Sequence, residues 1–283
     1  MIKDKSHVSL TGHFTGQVWC ENGYSPRELG SLPGRVLYRI HRPAGWLNEQ
    51  LSGHSLETIL LARHHLIDNL VCESIEKNGV TQIVEIASGL SGRGLRMLHR
   101  YPNELTRYIE ADLPPMIAWK NQKLNNYYYR DKRHILAPVN ILRPEGKLSP
   151  ESLFGEYLNP DRNTLVITEG LVNYFQLDTI ETFWRRLHQL LAVYPAGFYL
   201  FEIWPELAIY RKKILYRSLL KIIEILTRQP VPLHYHSDAS IVHGIQACGY
   251  GSVQTCSPDL SKFDIKGRNR TEISPFRVVK ARA

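Results

Sequence analysis

Long apolar runs are missing from this 283-residue chain: no stretch approaches the roughly 20 consecutive apolar residues that cross a bilayer. Met1–Ser9 is charged and lacks the apolar core of a secretory signal, so a soluble, cytoplasmic protein with no membrane association is expected. Cysteine is scarce as well. The four present, Cys20, Cys72, Cys248 and Cys256, include no C-x-x-C and no metal-ligand spacing, which argues against a disulfide framework and a zinc site; no metal is expected. Internal repeats and low-complexity segments are also lacking. The net charge of +8 comes from scattered Lys and Arg rather than a basic run interleaved with aromatics, so a basic soluble surface is expected and nucleic acid is not. What remains is a chain with 43% hydrophobic residues, enough to bury one large core.

Residues 1–53 are rich in Gly, Pro, Ser and aromatics, with turn signals at Ser25-Pro26, Leu32-Pro33-Gly34 and Arg42-Pro43. Loops and short helices forming a cap or lid are expected there. From His54 to Asn78 the spacing turns helical, with Leu56, Ile59, Leu60, Ile67, Leu70, Val71 and Ile75 on one stripe that Arg63 shares. From residue 79 strand-length apolar runs alternate with helices. The strands are Gln82–Ala87, Arg107–Asp112, His134–Val139, Thr164–Glu169, Phe198–Ile203, Ser252–Thr255 and Arg277–Ala281. The helices are Arg93–Arg100, Met116–Asn125, Pro150–Tyr157, Thr179–Tyr194, with Asp178 and Glu181 as a capping pair, and a long one over Pro205–Thr227. This alternation implies an α/β fold, a doubly wound, mostly parallel sheet, because parallel neighbours need crossover helices. The expected organisation is one structural domain, with lid and helices over 1–78 and the sheet core over 79–283.

In such a sheet the ligand crevice lies beyond the carboxyl ends of the strands. The first strand runs into Glu85-Ile86-Ala87-Ser88-Gly89-Leu90-Ser91-Gly92-Arg93-Gly94, whose small residues let backbone approach a ligand. Its G-x-x-G-x-G spacing differs from the G-x-G-x-x-G of a pyrophosphate turn, which disfavours a dinucleotide. The second strand carries Glu110 and Asp112 on one side and ends before Leu113-Pro114. Alone, Asp112 reads as a surface group or helix cap; about twenty residues beyond a glycine turn, it reads as an acceptor for ribose hydroxyls. The fourth strand ends Thr168-Glu169-Gly170, and Glu169 reads either as a cap on the next helix or as a contact pointing into the same crevice. Arg63, on an apolar stripe, either snorkels to solvent or faces the interior and needs an anionic partner.

Three stretches carry a resemblance to the leucine carboxyl methyltransferase family, which includes polyketide O-methyltransferases. Ile86-Ala87-Ser88-Gly89-Leu90-Ser91-Gly92-Arg93-Gly94-Leu95-Arg96 resembles L-G-A-G-L-D-T-R-A-x-R, Tyr108-Ile109-Glu110-Ala111-Asp112-Leu113-Pro114 resembles Y-x-E-V-D-L-P, and Thr168-Glu169-Gly170-Leu171-Val172-Asn173-Tyr174 resembles x-E-G-L-x-x-Y. The second run, with Lys120 following, is the most specific. The resemblance implies a Rossmann-like methyltransferase sheet and S-adenosylmethionine as cofactor. It places Asp112 on the ribose, Gly89 beside the methionine part, Glu169 near the amino group and Arg63 on the carboxylate. The wider implied shell is Glu85, Ala87, Ser88, Arg93, Glu110, Leu113, Asn140, Ile141 and Gly170. Ala87 stands where the family has its first glycine and Ser91-Gly92 where it has Asp-Thr. Asn140 stands near the family's adenine-contacting aspartate, and its carbonyl oxygen can still accept from the exocyclic amine.

The expected activity is O-methylation of a carboxylate or hydroxyl of a small molecule, with a place in polyketide or other secondary metabolism. A protein C-terminal carboxyl methyltransferase or a non-methylating cofactor-binding protein is the alternative. A carboxylate acceptor needs no base, whereas a hydroxyl benefits from one; none of the twelve histidines is singled out by sequence. Tyr174 and the segment Phe14–Tyr24 are the acceptor-side candidates, and a monomer or homodimer is expected.

Overall fold

The computed structural model describes residues 10–52, 55–125, 131–207, 217, 220, 221, 224, 230–263 and 274–283. Its centre is a seven-stranded sheet of order β3-β2-β1-β4-β5-β7-β6. The strands are β1 (Gln82–Ile86), β2 (Arg107–Asp112), β3 (His134–Pro138), β4 (Thr164–Thr168), β5 (Gly197–Ile203), β6 (Ser252–Cys256) and β7 (Arg277–Arg282). The first five are mutually parallel, and β7 enters antiparallel between β5 and β6. The order reverses on the two sides of β1, so the strand ends of β1, β2 and β4 flank the topological switch point where open α/β sheets bind ligands.

Both faces of the sheet are covered, as near-continuous apolar strands require. On one face Val84, Ile86, Ile109, Val166 and Phe201 pack on α6 (Pro150–Tyr157), α7 (Leu177–Leu191) and α8 (Asp238–Ala247). The α7 stripe of Ile180, Phe183, Trp184, Leu187 and Leu191 is buried as its spacing predicts. On the other face Ile83, Tyr108, Leu165, Ile167 and Leu200 pack on α3 (Leu56–Asn78) and α4 (Arg93–Arg100). α5 (Pro114–Asn125) lies beside β2 and β3. The α7 N-terminus departs from expectation: Gln176 is the N-cap and makes no side-chain cap bond. Asp178 sits inside the first turn, where its charge complements the helix dipole.

The larger departure is at the N-terminal side. α1 (Leu10–Glu21) and α2 (Leu32–Ser52) are regular helices where loops and short helices are expected. Leu32-Pro33-Gly34 forms the first turn of α2, a position where the missing proline N–H has no helical partner to lose. The helix continues through Arg42-Pro43. The long helix expected over Pro205–Thr227 falls largely outside the described residues, and Pro205–Leu207 are non-helical. No described helix is long and apolar enough to cross a membrane. The four cysteines are free thiols.

Candidate functional site

β2 ends on Asp112 because Pro114 starts the next helix. The half-buried Asp112 carboxylate accepts the Gly89 N–H at 2.8 Å through Oδ2 and the Leu113 N–H at 2.7 Å through Oδ1. These bonds lock the β1 turn to the β2 tip. Burial raises the Asp112 pKa from its ordinary value, opposed by those two amides and by Lys120. Within the turn Ala87 has φ +58° and Gly89 φ +46°. A Cβ on Gly89 would meet nothing nearer than a carbonyl at 4.0 Å, so the backbone here borders open space. Gly92 has the opposite use: a Cβ there would lie 2.8 Å from Pro26 and 2.9 Å from Ser25. That close approach lets Ser25 Oγ accept the Gly92 N–H at 2.8 Å and donate to the Leu90 carbonyl at 3.0 Å. Ser88 Oγ is buried with no hydrogen-bond partner among the described residues.

α3 brings the other half of the site. It is capped by Ser55, whose side chain accepts the Thr58 N–H. Arg63 is 5% exposed. Its Nε lies 3.0 Å from Glu169 Oε1, Nη1 lies 3.8 Å from Glu202 Oε1, and the guanidinium sits 5.0 Å over the Phe276 ring. The expected pairing of Arg63 with an interior anion is thus present. Glu169 Oε2 also meets Arg93 Nη2 at 2.5 Å and His64 Nδ1 at 2.8 Å. Arg96 Nη2 can only donate, so His64 Nε2, 2.7 Å away, accepts and the ring is neutral, while Nδ1 lies 2.8 Å from both Glu169 Oε2 and Arg93 Nη2. Burial and the Arg93 charge push the His64 pKa down, which agrees. Burial alone would raise the Glu169 carboxyl, but His64, Arg93 and Arg63 hold it well below the usual range. Gly170, with φ +73°, follows at once, and a Cβ on it would face open space.

Glu85, Arg93 and Glu110 turn into the layer between the sheet and the α3/α4 helices, where each is matched internally. Arg93 bonds Glu85 at 2.5 Å and Asp68 at 2.6 Å, and Tyr108 donates to Glu85 at 2.6 Å. Glu110 pairs with Lys120 at 2.6 Å and His134 at 3.2 Å and accepts the Gly94 N–H. Asn140 makes an Asx turn, its Oδ1 accepting the Leu142 N–H at 3.0 Å, while Ile141 is buried in the α6/α7 core. Tyr174 is 38% exposed, and its hydroxyl meets Thr11 Oγ1 of α1 at 2.7 Å.

Sequence reading passed over His64, Asp68 and Glu202. Each carried a signal: His64 and Asp68 lie one and five residues from Arg63 on the same buried helix, and Glu202 is the lone charge in an apolar strand, Phe198–Ile203. Among the described residues no His, Cys, Asp and Glu cluster has a metal-binding arrangement.

The Asp112 carboxylate at the β2 tip, beside the open backbone of Gly89, suits ribose hydroxyls rather than a pyrophosphate. The open glycine backbone and the buried Arg63 complete a lining that fits the adenosyl, amino and carboxylate parts of S-adenosylmethionine. A DUF574 family protein from Streptomyces avermitilis superposes with TM-score 0.64 at 14% identity, over 96% of each chain. A protein from Thermobifida fusca assigned as a methyltransferase superposes with TM-score 0.61 at 12% identity, over 99% of this chain and 96% of the other. PigF with SAH matches at TM-score 0.50 and 13% identity over 79% of this chain, which spans 63% of the length of PigF. These likenesses concern the fold. Residues 39–187, more than half of the chain, match the model of the leucine carboxyl methyltransferase family. Fold, glycine turn and strand-tip carboxylates thus converge with that match, and the chain belongs to this family of S-adenosylmethionine-dependent methyltransferases.

Proposed function

We propose that this protein is an O-methyltransferase whose acceptor is a carboxylate or hydroxyl of a small molecule, with a place in polyketide or other secondary metabolism. The observation that carries the placement of the cofactor is the Asp112 carboxylate, tied to the Gly89 amide at the switch point of the sheet. Asp112 takes the ribose hydroxyls, the Gly89 and Gly170 backbones pass close to the ligand, and Arg63 offers its remaining N–H groups to the carboxylate of the methionine part. Ala87, Ser88 and Leu113 shape the wall around it, and Asn140 and Ile141 lie on the adenine side. Glu85, Arg93 and Glu110 hold the site from behind through the buried ion pairs.

When bound, the cofactor supplies an electrophilic methyl group on a sulfonium, which an acceptor oxygen displaces in line. The chain's part is orientation and exclusion of water. α1 and the turn after it form a cover: Trp19 and Tyr24 pack on His64 with ring centroids 4.2 and 5.0 Å away, and Thr11 reaches Tyr174. Tyr174 and the Phe14–Tyr24 segment then border the acceptor. A carboxylate acceptor arrives ionised and asks nothing more of the protein, which fits a site where His64 is buried, neutral and already engaged.

Incubation with labelled S-adenosylmethionine and pools of small acids, phenols and peptides, followed by mass spectrometry, tests this. A methyl increment on a small acid or phenol is expected. Methylation confined to peptide C-termini would favour a protein carboxyl methyltransferase, and no increment in any pool from cofactor-bound protein would remove the catalytic reading.

A further inference from the structure

The tips of β4 and β5 hold a carboxylate pair with unequal partners. Thr168 lies beside Phe201 in the parallel register, which sets Glu169 next to Glu202. Both turn to the α3 face, continuing the side of Ile167 and Leu200, and Arg63 reaches between them. Glu169 already receives Arg63, His64 and Arg93. Glu202 accepts the Gly170 N–H at 2.6 Å through Oε1, while its buried Oε2 has no hydrogen-bond partner among the described residues. A buried acceptor left half satisfied carries a desolvation cost that a donor from outside the chain can repay.

We propose that Glu202 Oε2 accepts the α-ammonium of S-adenosylmethionine, so that Glu202, rather than the saturated Glu169, reads the amino end of the cofactor. The proposal rests on the placement given above, in which the methionine part lies against Arg63. Burial raises the Glu202 carboxyl to about 7; Arg63 opposes this and Glu169 adds to it. The charged groups facing Glu202 are therefore Arg63 from α3 and Glu169 from β4, while β7 sets Val278 beside it. Below that value the free enzyme holds Glu202 as the neutral acid. The arriving ammonium favours the carboxylate, so the acid proton passes to solvent and a carboxylate–ammonium pair remains.

Titration calorimetry tests this with three ligands: S-adenosylmethionine, S-adenosylhomocysteine and methylthioadenosine, which keeps the nucleoside but has no ammonium. Glu202→Gln is expected to weaken the two amino-acid-bearing ligands about tenfold or more and leave methylthioadenosine within about twofold, the loss of one charge-assisted bond. At about pH 6, in buffers of different ionisation enthalpy, wild-type protein should release close to one proton per S-adenosylmethionine and Glu202→Gln none. Wild-type affinity in the variant, or an equal loss for all three ligands, would overturn the assignment. Should the variant not fold, the wild-type ratio of S-adenosylmethionine to methylthioadenosine affinity serves instead. That ratio should rise about tenfold from about pH 5.5 to 7, and a flat ratio overturns the proposal. A wild-type protein that binds none of the three would overturn the cofactor placement itself.

Discussion

Ala87 occupies backbone space that L-residues avoid, at φ +58° immediately after β1. The left-handed region costs a side chain on the order of 1–2 kcal/mol. Glycine would remove that cost while adding about 1 kcal/mol of chain entropy to the unfolded state. Ala87→Gly is therefore expected to leave stability unchanged or raise it by up to ~1 kcal/mol in urea denaturation. A loss of more than about 1 kcal/mol would show that the methyl packs favourably enough to outweigh the strain. The residue is visible in sequence as a departure from the family turn, but its conformation is not, because alanine ordinarily carries no sign of a left-handed bend. The same limit hid Glu202: one charge in an apolar strand looks like a surface position until the parallel register sets it beside Glu169 under α3.

Periodicity predicts whole elements well where one face is buried. β2, α4 and α6 run over the residues that their patterns mark, because Pro114, Gly92 and Ser149-Pro150 punctuate them. It fails where the cues are ambiguous: the prolines and glycines of residues 26–43 mark turns by composition, yet one of them starts a helix of 21 residues. α3 shows how an element serves the site. It is buried nearly all round and delivers Arg63, His64 and Asp68 from successive turns, so its N-terminal anchoring matters. Ser55→Ala removes the acceptor for the Thr58 N–H and should cost about 1 kcal/mol of stability. Circular dichroism should show the helix retained, and a change under about 0.3 kcal/mol would mean that packing alone fixes the start of α3.

At the scale of the molecule, the doubly wound, mostly parallel sheet was legible because alternation of strand and helix leaves few topologies, whereas the strand order was not read from the sequence. The balance of buried charge was not, since it depends on side chains from α3, α4, β1, β2, β4 and β5 meeting in space. That balance sets how stability changes with pH. Burial alone would raise Glu110, but Lys120 and His134 bring it down to about 2. A depressed carboxyl stabilises above its unfolded value of 4.5 and loses that contribution as pH falls through about 2, on the order of 3 kcal/mol. Glu202 works in the other direction. Its carboxyl, raised to about 7, means that the folded protein binds more protons than the unfolded chain between 4.5 and 7, so stability falls as pH rises through that window, again by about 3 kcal/mol. Other ionisable groups contribute to the pH dependence as well, so the difference between wild type and Glu202→Gln isolates the second effect. Urea midpoints measured from about pH 4 to 8 without cofactor should show the variant gaining on wild type until about pH 7 and then holding a constant lead. With saturating S-adenosylmethionine that lead should shrink, because the ionised Glu202 then has its ammonium partner. Parallel curves for the two proteins at every pH would mean that the folded Glu202 carboxyl titrates as it does in the unfolded chain and that burial does not raise it.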